Sequence, residues 1–72
     1  MKNEFKIIAN FLPSQSRVLD VGCGDGTLMK ALIDEKSINA RGIEINKDNV
    51  KICISKGLPV IEGNAETELS QF

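Results

Sequence analysis

The sequence predicts an α/β domain built on a small parallel sheet, and three observations carry that prediction. Short apolar runs at 17–21, 40–45 and 58–62 alternate with segments whose apolar residues recur at helical spacing. The connections between the runs are too long for hairpins, so they must be crossovers, which gives codirectional strands in the order 3-2-1. The first run ends in a loop with glycine at alternate positions, Gly22, Gly24 and Gly26, that leads directly into a helical pattern.

In chain order, residues 3–12 carry Phe5, Ile8, Phe11 and Leu12 at helical spacing before Pro13 stops the pattern, an amphipathic entry helix. Ser14-Gln15-Ser16 is the turn into the first strand, 17–21. There Val18, Leu19 and Val21 form the near-continuous apolar run of a strand covered on both faces, which makes it central. Residues 27–36 place Leu28, Ala31 and Leu32 on one stripe, with Asp34, Glu35 and Lys36 at the solvated end. Ser37-Ile38-Asn39 is a turn, and 40–45 is the second strand. Asn46 caps a helix over 47–56 that turns Val50, Cys53 and Ile54 inward, has Asp48 near its positive end, and stops at Gly57 in a left-handed conformation. The third strand, 58–62, contains Pro59, which cannot donate to a ladder and so belongs at an edge or a strand start.

The chain has 72 residues, enough for one small domain that buries only ~60% of its unfolded surface. Apolar residues make up 42% and charged residues 26%, in the range of soluble globular proteins. Nine basic against ten acidic residues give a net charge of −1, without a Lys/Arg cluster. With only Phe5, Phe11 and Phe72 as aromatics, no nucleic-acid surface is supported. Apolar runs are too short for a membrane span, and the N-terminus has no signal-peptide pattern, so a cytoplasmic protein is expected. There is no histidine, and Cys23 and Cys53 do not form a zinc spacing; no metal and reduced, buried thiols are the expectation, with a disulfide between the two as the alternative.

In a doubly wound sheet of order 3-2-1 the first strand pairs with a fourth on its other side. After Gly63 the chain offers only a polar tail at 64–72, too short for that place, and strand four onward is missing. The free edge of Val18-Leu19-Asp20-Val21 is a template for another chain, so a homo-oligomer through that edge is expected.

The glycine loop lets the backbone take positive φ and come close to a ligand that a Cβ would hold away. A dinucleotide fingerprint reads G-x-G-x-x-G, whereas here the third glycine arrives one residue early and Asp20 stands two residues before the first. That spacing disfavours a nicotinamide-dependent oxidoreductase. The D-x-G-x-G-x-G pattern resembles motif I of the class I S-adenosylmethionine (SAM) methyltransferases, with a Rossmann-like fold.

SAM presents a sulfonium, an amino group and a carboxylate at one end and adenosine at the other. On this resemblance the amides of Gly22, Cys23, Gly24 and Gly26, with the helix start behind them, suit the carboxylate. Asp20 is placed to accept from the ammonium, or else is a turn residue. Glu44 lies eighteen residues past Gly26 at the end of the second strand, where an acid takes ribose hydroxyls; the alternative is a solvated strand-end acid. Ile45 and Asn46 flank the adenosine. In Gly63-Asn64-Ala65-Glu66 an amide stands where methyltransferases commonly carry Gly-Asp, so Asn64 meets adenine through its carbonyl oxygen or is a plain loop asparagine. Glu66 and Glu68 are expected to face solvent. No residue is marked as acid, base or nucleophile, so no catalytic residue is assigned.

Residues 16–28 (SRVLDVGCGDGTL), then Gly42-Ile43-Glu44-Ile45, Asn49-Val50, Gly57 and Val60-Ile61-Glu62-Gly63, together resemble the methionine-biosynthesis MetW family. The entry segment 7–13 (IIANFLP) and the ending Leu69-Ser70-Gln71-Phe72 fit as well. The resemblance implies SAM as cofactor with S-adenosylhomocysteine as product, a cytoplasmic setting, and a homoserine acyltransferase as partner. It also implies that residues 1–72 are a single N-terminal SAM-binding half-domain: entry helix and turn at 1–16, βαβαβ at 17–63, tail at 64–72. Such a half, without the acceptor pocket, is expected to be catalytically silent. The alternative is a non-catalytic partner or regulatory module of the acyltransferase.

Overall fold

The computed structural model describes residues 3–69. Its elements run α1 (Asn3–Phe11), β1 (Arg17–Val21), α2 (Thr27–Lys36), β2 (Asn39–Glu44), α3 (Lys47–Ser55), β3 (Val60–Glu62) and α4 (Ala65–Leu69). The three strands form one parallel sheet in the order β1-β2-β3. Arg17 to Val21 pair with Asn39 to Ile43, and Gly42 to Glu44 with Val60 to Glu62. The predicted architecture and strand order are therefore those observed.

Register explains where the core lies. Val18 pairs with Ala40 and Gly42 with Val60, so these residues share one sheet face. Met29 and Leu32 of α2 and Cys53 of α3 close over that face, in a cluster with Ala9, Ile38, Ala40 and Leu58. Both helices lie on the same side, as successive right-handed crossovers moving one way across a sheet require. The other face carries Leu19, Val21 and Ile61, which pair through Arg41 and Ile43 and are about half exposed. The expectation that β1 is covered on both faces is thus corrected: among the described residues it is an edge strand with one bare face. Only Ile43, flanked on both sides, is buried there.

Helix α1 also sits differently from its apolar stripe. It packs on the core through Ala9, with Leu12 just beyond its end, whereas Ile7, Ile8 and Phe11 face outward, Phe11 at 82% exposure. The Lys36 ammonium at the end of α2 donates to the carbonyls of Ala9 (2.7 Å) and Leu12 (2.8 Å) and holds that rotation. Helix α2 has its predicted bounds and ends at Ser37, which turns left-handed with φ 54°. Asn46 caps α3 as expected, its side chain accepting from the Asn49 amide at 3.0 Å.

Strand β3 begins one residue after Pro59, whose carbonyl accepts from the Gly42 amide at 2.9 Å. Part of the expected polar tail from 64 forms the short helix α4. Asn64 starts it, accepting the Glu66 amide on its side-chain oxygen at 2.8 Å. Ser70, Gln71 and Phe72 of the expected tail lie outside the described residues.

Candidate functional site

The carboxyl ends of the three strands converge on one groove, as parallel sheets dictate for ligand sites. Strand β1 leads from Asp20 into the glycine loop, β2 ends at Glu44, and β3 is followed by Gly63 and Asn64. A hollow of about 170 Å³ lies between them, lined by Val21, Gly22, Ile43, Glu44, Ile45, Gly63, Asn64 and Ala65. Four of the expected cofactor residues, Gly22, Glu44, Ile45 and Asn64, meet there. Asp20, Cys23, Gly24 and Gly26 do not line it. A larger hollow of about 460 Å³ at Arg17, Val18, Leu19, Asn39 and Arg41 lies at the opposite strand end and contains no carboxylate.

Glu44 organises the groove. Its Oε1 accepts the Gly24 amide at 2.7 Å and its Oε2 accepts the Asn46 amide at 2.9 Å, with 7% of the residue exposed. These two amides, Asn46 first and Gly24 second, hold its carboxyl below the ordinary glutamate value. The carboxylate is therefore ionised and oriented, and beyond these two amides the Asn49 side chain and the Ile45 amide also act to lower its value.

Asp20 is the counterpart. It lies on the same sheet face as Glu44, and no hydrogen bond or ion pair reaches its carboxylate among the described residues. Burial, then the neighbouring Glu44 charge, raise its pKa above the ordinary aspartate value. A partly buried carboxylate with no cation beside it is a ready acceptor for one.

The glycines divide into two kinds. Gly22 (φ 68°) and Gly24 (φ 60°) have nothing within 4 Å of where a Cβ would be, so their Cα faces border open space. Gly26 (φ 83°) is buried, and a Cβ there would sit 2.4 Å from Leu58 Cδ1 and 3.0 Å from Cys53 Sγ. The structure thus places Gly26 in the packing of the loop on the core rather than at the groove.

The expected amide donors are a second correction. Gly22 and Cys23 donate to the Ile43 carbonyl at 2.8 and 3.4 Å, Gly24 to Glu44, and Gly26 to the Cys23 carbonyl at 3.1 Å. Thr27 at the helix start donates to Asp25 Oδ1 at 3.0 Å. The loop thus spends the amides of Gly22, Cys23, Gly24 and Gly26 on its own folding.

Asn64 is an exposed loop residue whose side-chain oxygen accepts the Glu66 amide at 2.8 Å and so starts α4; its amide nitrogen is a further donor. Glu68, expected to face solvent, is half-buried, and its Oε1 would lie 2.7 Å from a Cβ on Gly63.

Three contributions to the site were not read from sequence. Gly42 admits the Cys23 side chain, since a Cβ there would sit 2.6 Å from its sulfur. Cys53 donates its thiol to the Gly24 carbonyl at 3.3 Å, and Lys56 donates to the Asp25 carbonyl at 2.9 Å. The glycine inside the second strand was the available signal for the first; nothing local marks the other two. Among the described residues no cluster of three metal-ligating side chains occurs, and no helix is long and apolar enough to cross a membrane.

A family model described as methionine biosynthesis protein MetW matches residues 2–72. No curated protein sequence matches the chain. Among solved structures, a SAM-dependent methyltransferase from Archaeoglobus fulgidus is 30% identical with a TM-score of 0.81, over 96% of this chain and 30% of that one. DesVI of Streptomyces venezuelae is 25% identical with a TM-score of 0.71, over 85% of this chain and 28% of its own. A SAM-dependent methyltransferase from Thiobacillus denitrificans, in complex with S-adenosyl-L-homocysteine, shares the fold at 19% identity and a TM-score of 0.72, over 90% and 30%. The chain thus spans 30% or less of the length of each of these three structures.

Proposed function

The chain belongs to the MetW family of methionine biosynthesis proteins, and from that premise we propose that it is the SAM-binding part of a cytoplasmic, methyltransferase-like protein. The observation that carries this reading is the Glu44 carboxylate, buried, ionised and pinned by the Gly24 and Asn46 amides at the edge of the groove. In this reading Glu44 accepts the two ribose hydroxyls on its remaining lone pairs. Asp20 supplies the negative charge for the ammonium. Gly22 and Gly24 give the methionyl end a surface free of side chains. Cys23 lies beneath that surface and Gly26 seats it on the core. Ile45, 67% exposed, covers one adenine face, and Asn64 offers its amide nitrogen to a ring acceptor.

When bound, SAM supplies a methyl group made electrophilic by its sulfonium. This chain's own residues bind and orient; none is placed as acid, base or nucleophile. The 170 Å³ of the groove is below the ~300–1,000 Å³ of complete small-molecule sites. That supports a second part of the proposal, that the 72-residue chain alone does not transfer methyl groups. Radiolabelled SAM with the chain and a panel of acceptors should give no labelled product, and a labelled product would overturn it.

Titration calorimetry with SAM and S-adenosylhomocysteine tests the cofactor directly. Saturable one-to-one binding that Glu44→Ala weakens by tenfold or more is expected; heat from NAD and none from SAM would end the reading. Two partner proposals follow. Leu19 and Val21, half exposed on an edge strand unpaired among the described residues, support self-association through that edge, and the resemblance to the MetW family implies a homoserine acyltransferase as the protein partner. Light scattering that stays monomeric at high concentration counts against the first. Failure of the acyltransferase to co-purify counts against the second.

A further inference from the structure

The fold brings together two cysteines thirty residues apart in sequence, with their sulfurs at 4.0 Å. Both are free thiols. Cys23 sits in the glycine loop and is partly exposed, whereas Cys53 on α3 has no exposed surface. The Cys53 thiol holds the Gly24 carbonyl at 3.3 Å, and Glu44 holds the amide of the same residue. On the side of Cys23 that faces β2 there is no slack, because even a Cβ on Gly42 would sit 2.6 Å from its sulfur.

We propose that Cys23 and Cys53 close into a reversible intramolecular disulfide under peroxide, and that closure weakens cofactor binding by releasing Gly24. The weakening rests on the SAM reading above; the disulfide does not. Cys23 is placed to react first, because it is partly exposed whereas Cys53 has no exposed surface. Its thiolate attacks one peroxide oxygen, the O–O bond breaks, and the departing hydroxide leaves as water with the thiol proton. The Cys53 sulfur then attacks the resulting sulfenic acid, gives up its own proton and expels a second water. Two thiols and one peroxide become one disulfide and two waters, with sulfur oxidised and peroxide oxygen reduced.

Closure draws the sulfurs from 4.0 Å to ~2.05 Å. It consumes the proton that Cys53 donates to Gly24 and pulls the neighbouring loop residue toward α3. The Gly24 amide moves with it, and so does the orientation of the Glu44 carboxylate. Burial, together with the adjacent Cys53, pushes the Cys23 thiol up to about 12, so little of it is thiolate at neutral pH and its attack on peroxide is slow.

The test treats the 72-residue chain with hydrogen peroxide, alkylates the denatured protein with N-ethylmaleimide and weighs it. A monomer about 2 Da lighter that takes up no maleimide, and regains both thiols with dithiothreitol, is expected. Cys53→Ser should block that mass loss. Intermolecular dimers, sulfinic acid or two freely alkylated thiols would overturn the disulfide. Calorimetry on the reduced and oxidised forms then reads the consequence: tenfold or greater loss of SAM affinity is expected, restored by dithiothreitol. Equal affinities overturn the regulatory effect alone. A reduced chain that does not bind SAM overturns the cofactor reading and the regulatory effect together, while the mass measurement still decides the disulfide.

Discussion

The Gly24 amide donates to Glu44 Oε1 at 2.7 Å, so the acid that ends β2 also fixes the loop that follows β1. Two strands and one loop are locked at the point where the groove opens. Removing the carboxylate strands two amides that nothing else among the described residues reaches, those of Gly24 and Asn46. Glu44→Ala should therefore lower the urea midpoint as well as SAM affinity. A variant with unchanged stability and lost binding would show that Glu44 serves only the ligand.

The two carboxylates titrate in opposite senses. Glu44 is lowered in the folded state, so its contribution is present above the ordinary value of 4.5 and is lost as pH falls through the lower folded value. Asp20 is raised above 3.8, so its ionised form opposes folding at neutral pH, and that penalty is relieved as pH falls through the raised value. Asp20→Asn should stabilise the chain at pH 7 by a modest amount, reduced by solvent screening of this partly exposed group, while weakening SAM binding. Urea midpoints at pH 7 and pH 3 check both signs, since the advantage of Asp20→Asn should vanish at the lower pH.

Gly26 and Gly22 separate packing from ligand approach. Gly26→Ala meets Leu58 Cδ1 at 2.4 Å in a left-handed backbone and should cost about 2–4 kcal/mol. Gly22→Ala carries only the backbone strain, about 1–2 kcal/mol, because nothing lies within 4 Å of the added methyl. Thermal melts should rank Gly26→Ala well below Gly22→Ala. Calorimetry at a temperature where both remain folded should find the larger loss of affinity per unit of lost stability in Gly22→Ala.

Lys36→Met keeps the aliphatic stem and removes the donors to the Ala9 and Leu12 carbonyls. Loss of about 1–2 kcal/mol is expected, concentrated in α1. Hydrogen exchange should show faster exchange across α1 and unchanged protection in β2.

Much of this architecture is legible in the residues because it depends on local chemistry. Asn46 and Gly57 mark the two ends of α3, Pro59 keeps β3 short and at the edge, and the alternate glycines force a tight turn after β1. The short helix α4 was legible too, since an asparagine before Ala-Glu-Thr-Glu is a capping pattern, but its polar composition read as a tail. The bare face of β1 was not. An apolar run states that a strand prefers cover, and whether another layer lies over it is set by the path of the rest of the chain.

Local pattern by itself determined that this chain turns three codirectional strands toward a glycine loop and sets acids at two strand ends. Only the tertiary structure decided what those groups do to one another. Glu44 and Gly24 are twenty residues apart and Cys23 and Cys53 thirty, and contacts over such separations depend on register and helix rotation, which no short window of sequence contains. The same closure spends the amides of Gly22, Cys23, Gly24 and Gly26 inside the protein, leaving Glu44 as the carboxylate that lines the groove, with Asp20 on the same sheet face beside it.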